Sequence, residues 1–330
     1  MPPPPPQDDD AASVRRARAI HLLLGHGLAT VSVLIFSLNL SLIKVARADL
    51  GPLELAAARF WIAAALVGVF WLVRGRPEWR AWDRRTWRWV GVGAVLLGPV
   101  FMVMLNAGAA GTSAGMMGLL MATQALHLAW LSPVFVGEAV GVRQLMALAV
   151  GFVGIAIPLT VGAEVTYAVW WAPLLVGVAS GLGALNIVIP KVLHGRVQTL
   201  DIATTLMAIS AVACLPLMGA RGEFHQYAHM SVPTWLAVGW MGSVGQIGVL
   251  LMWYTALRRL TAVTAALYLF VLMLTSSGWG YLVLGQPPHW SEAVAAVIVV
   301  AALRVNAAGG RRAGGGEVPD EFDPLGDDGE

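Results

Sequence analysis

The sequence is poor in cysteine and in charge, and both shortages limit what the protein can be. Its one cysteine, Cys214, excludes an internal disulfide and a metal site built from several cysteines. Charged residues make up 12% of the 330 residues and hydrophobic residues 58%, whereas soluble domains have about 25% and roughly 45–50%. Apolar segments recur from about residue 20 to residue 306, with no soluble domain between them. We therefore expect an all-α integral membrane protein.

Several chemistry-bearing motifs are also missing. The sequence has no His-Glu-x-x-His pattern, no ATP-binding loop and no pair of aspartates within an apolar segment. An enzyme inside a membrane needs a convergent nucleophile, base or metal site. We therefore predict that the protein is not an enzyme, uses no cofactor, holds no metal and binds no nucleic acid. Its expected partners are the lipid bilayer and a small-molecule substrate, and we expect a monomer or a homodimer.

Ten apolar segments are long enough to cross a membrane, which takes about 20 residues of α-helix. They lie at residues 26–46, 51–73, 87–107, 112–136, 142–162, 168–190, 199–219, 234–257, 261–285 and 289–306. Helices suit lipid because each satisfies its own backbone hydrogen bonds. We interpret residues 1–25, rich in proline, and residues 307–330, which are acidic, as disordered ends.

The basic residues predict how these helices are oriented. If the N-terminus is cytoplasmic, 17 of the 21 Lys and Arg residues fall on the cytoplasmic side, three (Lys44, Arg47 and Arg221) fall outside, and Arg59 lies within the second segment. Positive charge in short loops marks the cytoplasmic face of a membrane. We therefore predict a multi-pass protein of the plasma membrane with both ends in the cytoplasm.

The two halves of the sequence resemble each other. A shift of 147 residues aligns Asn39 with Asn186, and a shift of 148 aligns 86–91 with 234–239 at four of six positions. The same shifts superpose the predicted helices of one half on those of the other. The chain is therefore expected to be an internal repeat.

The repeat predicts an architecture as well as a duplication. The first copy covers residues 26–162 and the second residues 163–306, and each contains five predicted helices. Because five is odd, the second copy must enter the membrane from the opposite side. We thus expect ten transmembrane helices in two inverted five-helix repeats, an arrangement that places a transporter's ligand site near the midplane between the halves.

Several stretches resemble EamA-type members of the drug/metabolite transporter superfamily. They are 35–44, 50–60, 112–115 with 136–138, 253–259, and 261–265 with 284–286. The resemblance implies ten helices, cytoplasmic ends and export or exchange of metabolites, amino acids or drugs. Prolines that this family often has in its fourth and ninth helices are absent, since Ala125 and Met273 stand near those places, and Gln286 replaces an acidic residue.

Polar and aromatic side chains within the apolar segments are candidates for substrate binding, because a polar group in hydrocarbon is unfavourable unless it is paired or hydrated. The cavity candidates are Asn39, Gln124, His127, Asn186, Gln246, Trp253, Tyr254 and Trp279. The alternatives are hydrogen bonds between helices for the amides and simple packing for the aromatics. His127 is also a candidate proton carrier, because histidine titrates near neutral pH and no carboxylate lies deep in a predicted helix.

Three cations lie inside or at the ends of predicted helices: Lys44, Arg59 and Lys191. We assign them structural roles, either by pairing, as between Arg59 and Glu54, or by extending towards the membrane surface. The function predicted from all these features is a secondary transporter that moves an amino-acid-like or drug-like metabolite across the plasma membrane by alternating access, in efflux or exchange. The alternatives are a channel or a transport-inactive membrane scaffold of the same fold.

Overall fold

A computed structural model of the chain describes residues 8–137, 170–193, 195–221, 223–260 and 262–287, with isolated positions between 141 and 157 and between 290 and 301. These residues form helices and connecting turns, and no strand occurs among them. The predicted fifth and tenth helices, 142–162 and 289–306, lie largely outside the described residues. So do residues 1–7 and the predicted disordered end at 307–330.

Twelve α-helices follow one another through the continuously described parts of the chain. They are α1 (Asp8–Ala46), α2 (Pro52–Arg74), α3 (Arg84–Val95), α4 (Phe101–Gly108), α5 (Ala114–Ala122), α6 (Gln124–Leu131), α7 (Trp171–Gly183), α8 (Leu185–Val192), α9 (Thr199–Arg221), α10 (Val232–Gly242), α11 (Val249–Leu257) and α12 (Ala262–Leu284). Some consecutive helices, such as α3 with α4 and α10 with α11, are the two parts of a single interrupted span. Within the described residues, six spans are long and apolar enough to cross a membrane: Ala19–Ala46, Pro52–Arg74, Arg84–Gly108, Trp171–Val192, Thr199–Arg221 and Val232–Leu257.

Local sequence explains where these helices begin. Asp83 caps α3 by accepting a hydrogen bond from the Thr86 N–H at 2.8 Å, and Ser113 caps α5 in the same way. Pro52 opens α2, where its missing N–H is not needed. The helix α1 begins at Asp8, inside the segment that the sequence predicts to be disordered. Acidic residues are favourable at a helix N-terminus, and the apolar span that follows continues the same helix.

One end of the bundle gathers the loops around Asp49, and we call it the Asp49 face. Lys44, near the end of α1, donates to the backbone carbonyls of Ala109 at 3.0 Å and Thr112 at 2.6 Å. Tyr227, in a 3₁₀-helix between α9 and α10, donates its hydroxyl to the Glu54 carbonyl at 2.8 Å. The loops after α1, α4 and α9 therefore meet at this face.

At the opposite end of the bundle, which we call the Asp83 face, lie the loop after α2 and the loop before α9. Trp79, after α2, donates its indole N–H to the hydroxyl of Thr205 in the first turns of α9 at 3.0 Å. Arg196, just before α9, contacts Asp83 at 3.3 Å. Residues near 80 and residues near 225 thus lie at different ends of the bundle.

Small residues bring the helices into close contact, as at Gly108 of α4. A Cβ added there would lie 2.9 Å from the Ala172 carbonyl oxygen of α7 and would overlap Val176. At Gly68 in α2, by contrast, no atom of the described residues outside the adjoining turns of its own helix lies within 4 Å of such a Cβ. Close approach through small residues is how helices pack in a membrane, where lipid removes the hydrophobic driving force.

We expect Gly108→Val to destabilise the protein by about 1–3 kcal/mol, the usual effect of forcing atoms into a packed site. Thermal unfolding of the detergent-solubilised protein measures this as a lowered midpoint. The control, Gly68→Val, should leave the midpoint unchanged. Equal midpoints for the two variants would show that α4 and α7 do not pack as described.

Candidate functional site

Two of the spans are interrupted by a short π-helical segment near their middle. Leu96–Val100 separates α3 from α4, and Val244–Gly248 separates α10 from α11. Backbone angles leave the helical region at Gly98 (φ −80°, ψ −110°) and at Ser243 (φ −97°, ψ −94°). A shift of 148 residues, the shift that aligns the two halves of the sequence, superposes one interruption on the other. π-Helical turns of this kind frequently occur at functional sites.

Each interruption is bound by a side chain from the other half of the chain. Ser210 of α9 donates its hydroxyl to the Ala94 carbonyl at 2.8 Å, beside the first break. Asn39 of α1 donates its amide to the Gly245 carbonyl at 2.9 Å, within the second. Broken helices expose backbone groups that lipid cannot satisfy, so such bonds are needed at membrane depth. The amide oxygen of Asn39 has no hydrogen-bond partner.

A cavity of about 90 Å³ lies between these two breaks. Its described lining comes from α1, α2, α4 to α9, α11, α12 and both breaks, and it is mostly apolar. The aromatic members are Phe36, Phe60, Phe101, Trp253 and Tyr254. The polar members are all neutral: Ser32, Gln124, Asn186, Ser210 and Gln246. Pockets that hold drug-sized ligands have roughly 300–1,000 Å³, so a ligand of that size can enter only when helices separate.

Five of the eight predicted cavity residues line this cavity: Gln124, Asn186, Gln246, Trp253 and Tyr254. Gln124 is oriented by a hydrogen bond from its amide to the Gly183 carbonyl at 2.7 Å. Tyr254 is fully buried, and its hydroxyl has no hydrogen-bond partner among the residues that the structure describes. An unpaired buried hydroxyl is unfavourable, which makes this one available to a ligand.

The other three predicted residues do not line the cavity. Asn39 lies next to it through its bond to Gly245. His127 is half-buried between α6 and α7, where its ring lies 3.5 Å from a Cβ added to Gly181. Trp279 is half-buried towards the Asp49 end of α12. Because His127 does not line the cavity, its position does not support the predicted role as a proton carrier.

The three cations have different surroundings. Arg59 is fully buried and donates to the Gln246 side-chain oxygen at 2.9 Å, rather than pairing with Glu54. Lys44 binds the two carbonyls at the Asp49 face described above. Lys191 is half-buried near the end of α8. Arg59 contacts a residue that lines the cavity, since Gln246 is part of the lining.

The sequence analysis missed some of the cavity residues and one sequence motif. The cavity members Ser32, Phe36 and Ser210 sit in apolar helices and carry no distinguishing pattern. The run 111–115 does fit the Gly-x-Ser-x-Gly pattern of hydrolase nucleophiles. In the structure, however, this run joins two helices rather than a strand and a helix, and its Ser113 oxygen accepts from the Met116 N–H at 3.0 Å as the cap of α5.

Two loops at the Asp49 face are joined by a compact hydrogen-bonded group. One oxygen of the Asp49 carboxylate accepts from the Ser231 N–H at 2.8 Å, the Ser231 hydroxyl at 2.6 Å and the Thr234 hydroxyl at 2.6 Å. Hydrogen bonding by Ser231 and then by Thr234 lowers the pKa of Asp49, so the carboxylate is ionised at neutral pH. We call these three residues the Asp49 latch, since they join the loop after α1 to the start of α10.

The Asp83 face has a corresponding but looser contact. Arg196 and Asp83 form an ion pair at 3.3 Å with both side chains about half exposed, and we call this pair the Asp83 latch. Hydrogen bonding by Thr86, with the nearby charge of Arg196, lowers the pKa of Asp83. Shifts of 147 and 148 residues bring Asp49 onto Arg196 and Asp83 onto Ser231. Both contacts lie at exposed positions, where water competes with them and each is individually weak.

Apolar helices long enough to cross a membrane, two spans broken at equivalent points and a cavity between the breaks are the features of a membrane transporter. The sequence model of the EamA-like transporter family matches the chain twice, at residues 23–160 and 169–307. The chain belongs to the EamA-like transporter family, and its family is one of transporters rather than enzymes.

Two individual relatives agree with this assignment. An uncharacterized transporter of Archaeoglobus fulgidus is 21% identical over 262 residues, which cover 78% of this chain and 89% of that protein. A solved crystal structure matches with a TM-score of 0.65 at 18% identity, covering 89% of this chain and 98% of that one. At this identity the solved structure supports the fold alone.

Proposed function

We propose that the protein is a secondary transporter that moves a small metabolite, amino-acid-like or drug-like, through the central cavity by alternating access. The observation that carries this proposal is the position of the cavity, between two helix breaks that occupy equivalent places in the two halves. Broken helices beside a midplane site are how transporters bring backbone and side-chain polar groups to a ligand inside the membrane.

The proposal includes ten transmembrane helices in two inverted five-helix repeats. Its support is threefold: the family model matches twice, residues near 80 and near 225 lie at opposite ends of the bundle, and the two latches occupy corresponding positions at the two faces. Cytoplasmic ends and a plasma-membrane location rest on the distribution of Lys and Arg in the sequence. In this orientation the Asp49 face is the outer one.

The two latches suggest how the cavity becomes accessible. At about 90 Å³ it is too small for most metabolites in the conformation described. Opening the Asp83 latch breaks one exposed ion pair, whereas opening the Asp49 latch breaks three hydrogen bonds to one carboxylate. In the conformation described both latches are formed, so opening either face requires its own latch to break. Exchange between the two closures moves the substrate.

Transport itself is tested with purified protein in liposomes loaded with a metabolite extract. We expect protein-dependent release of specific solutes without ATP. Leu250→Trp should abolish it, because Leu250 lines the cavity and the larger side chain takes up its volume. The control Leu282→Trp replaces a leucine that is 73% exposed on α12 and should retain release. Conduction of ions in single-channel steps, or no release of any solute, would contradict the proposal.

A further inference from the structure

Among the described residues, the charged side chain that contacts the cavity lining is that of Arg59. It precedes Phe60, which lines the cavity, and its own side chain is 1% exposed. Its Nη2 donates to Oε1 of Gln246 at 2.9 Å, and Gln246 also lines the cavity. The guanidinium therefore lies behind a single amide side chain as seen from the cavity.

This guanidinium is only partly satisfied. Among the described residues, its Nε and Nη1 have no hydrogen-bond partner, and no carboxylate forms an ion pair with it. Arginine keeps its charge in proteins, and a buried charge without a partner is strongly unfavourable. An anion that reached Arg59 would remove this unfavourable state and fill the two free nitrogen positions.

Among the described residues near the cavity, Arg59 has the largest effect on its electrostatic potential. None of the described lining residues is charged, and the polar groups of the lining are the hydroxyls and amides of Ser, Tyr, Asn and Gln residues. Charges act strongly across a medium of low dielectric constant, so the cavity favours anions and disfavours cations. The remaining lining, with residues such as Phe101 and Trp253, suits an apolar body.

We propose that the substrate of this transporter, on the function proposed above, carries a carboxylate on a largely apolar body and that Arg59 binds the carboxylate. The carboxylate replaces Oε1 of Gln246 as acceptor, and the planar guanidinium can bind it through two parallel hydrogen bonds. Gln246 belongs to the break before α11, while Arg59 belongs to α2. Binding therefore exchanges a contact between the two halves for a contact with substrate, which gives the loaded and empty states different stabilities.

The test sorts solutes by charge before transport is measured. Metabolites from a cell extract are separated on ion-exchange resin into anionic, neutral and cationic fractions and loaded into proteoliposomes, and protein-dependent release is followed by mass spectrometry. We expect release from the anionic fraction. Arg59→Gln should reduce it by about tenfold or more, since a charge-assisted pair is lost, and Arg59→Lys should reduce it less. Arg80→Gln, at an exposed position on the Asp83 face, is the matched control.

The outcomes separate this inference from the proposed function. Release from the neutral or cationic fraction alone overturns the role of Arg59 while leaving a transporter. Release from no fraction overturns both. Because Arg59→Gln can fail to fold, a second measurement uses the unaltered protein: the amide of the transported acid should compete at least tenfold more weakly than the acid itself. Equal competition would overturn the inference.

Discussion

A chain carrying Asp49→Cys, Ser231→Cys and Cys214→Ser should lose nearly all transport when a short bis-methanethiosulfonate joins residues 49 and 231 through two disulfide bonds. Transport should return when the cross-link is reduced. In the natural chain the two side chains are hydrogen bonded at 2.6 Å, and Cys214 is the single native cysteine. The cross-link makes the closure of the Asp49 face permanent. A transporter that works by alternating access must open each face once per cycle, so it stops when one face cannot open.

The measurement is release from loaded proteoliposomes before cross-linking, after it and after reduction. The cross-linked fraction, determined by mass spectrometry of proteolytic fragments, should equal the fraction of transport lost. The chain with Asp49→Cys and Cys214→Ser alone controls for thiol modification and should remain active after treatment with the reagent. Full activity in fully cross-linked protein would show that this face does not open.

The same logic applies to the Asp83 face. Asp83→Cys with Arg196→Cys, again with Cys214→Ser, places the pair where the natural chain has an ion pair at 3.3 Å. Cross-linking there should also stop transport, because the inner face of the proposed cycle is then held closed. Loss at one face but not at the other would contradict the symmetry that the repeat implies.

Helix positions were largely predictable because hydropathy and membrane thickness determine them. The predicted 51–73 corresponds to Pro52–Arg74, and the predicted 199–219 corresponds to Thr199–Arg221. A helix in lipid cannot stop early without exposing backbone groups, and the loops at its ends carry the proline and the charges that mark them. The start of α1 was not predictable from hydropathy, because Asp8–Ala19 is polar and helical only as an extension of an apolar span.

The helix breaks were harder to predict because tertiary contacts maintain them. The first contains Gly98 and Pro99, a visible signal. The second has no proline and depends on Gly245, where Asn39 binds the carbonyl. That bond joins residues 206 positions apart in the chain. A prediction from local sequence patterns cannot identify a hydrogen-bond partner so far away in the chain.

Which residues line the cavity depends on how each helix is rotated about its own axis. Gln124 and His127 are one turn apart on α6, yet Gln124 lines the cavity and His127 faces Gly181 of α7. Arg59 was expected to extend to the membrane surface or pair locally. It is buried instead because α10 packs tightly against α2 at Gly242, where an added Cβ would lie 3.1 Å from the Arg59 carbonyl oxygen.

Gly98→Ala is the second change expected to have a large effect, and it should reduce both the stability of the protein and its transport activity. A Cβ at this position would lie 2.6 Å from the Ser210 Cβ and 3.3 Å from its Cα, so the strain falls on the α9 backbone. Overpacking of this kind costs about 1–3 kcal/mol. The substitution also favours regular helix at the break. We expect a lower midpoint of thermal unfolding and a loss of most transport in proteoliposomes.

Two comparisons make the Gly98→Ala prediction specific. Gly91→Ala and Gly239→Ala occupy equivalent positions in the two halves. No atom of the described residues outside the adjoining turns of the same helix lies within 4 Å of either added Cβ, so both should leave unfolding and transport unchanged. Gly98→Ala combined with Ser210→Gly removes the opposing Cβ and should recover part of the lost stability, so the two substitutions are not additive. If the double variant is as unstable as the sum of the single ones, the contact between the first break and α9 is wrong. Ser210 lines the cavity and donates to the Ala94 carbonyl, so Ser210→Gly alone is the necessary comparison. If the double variant regains stability without transport while Ser210→Gly alone still transports, the methyl group at Gly98 is what stops the cycle.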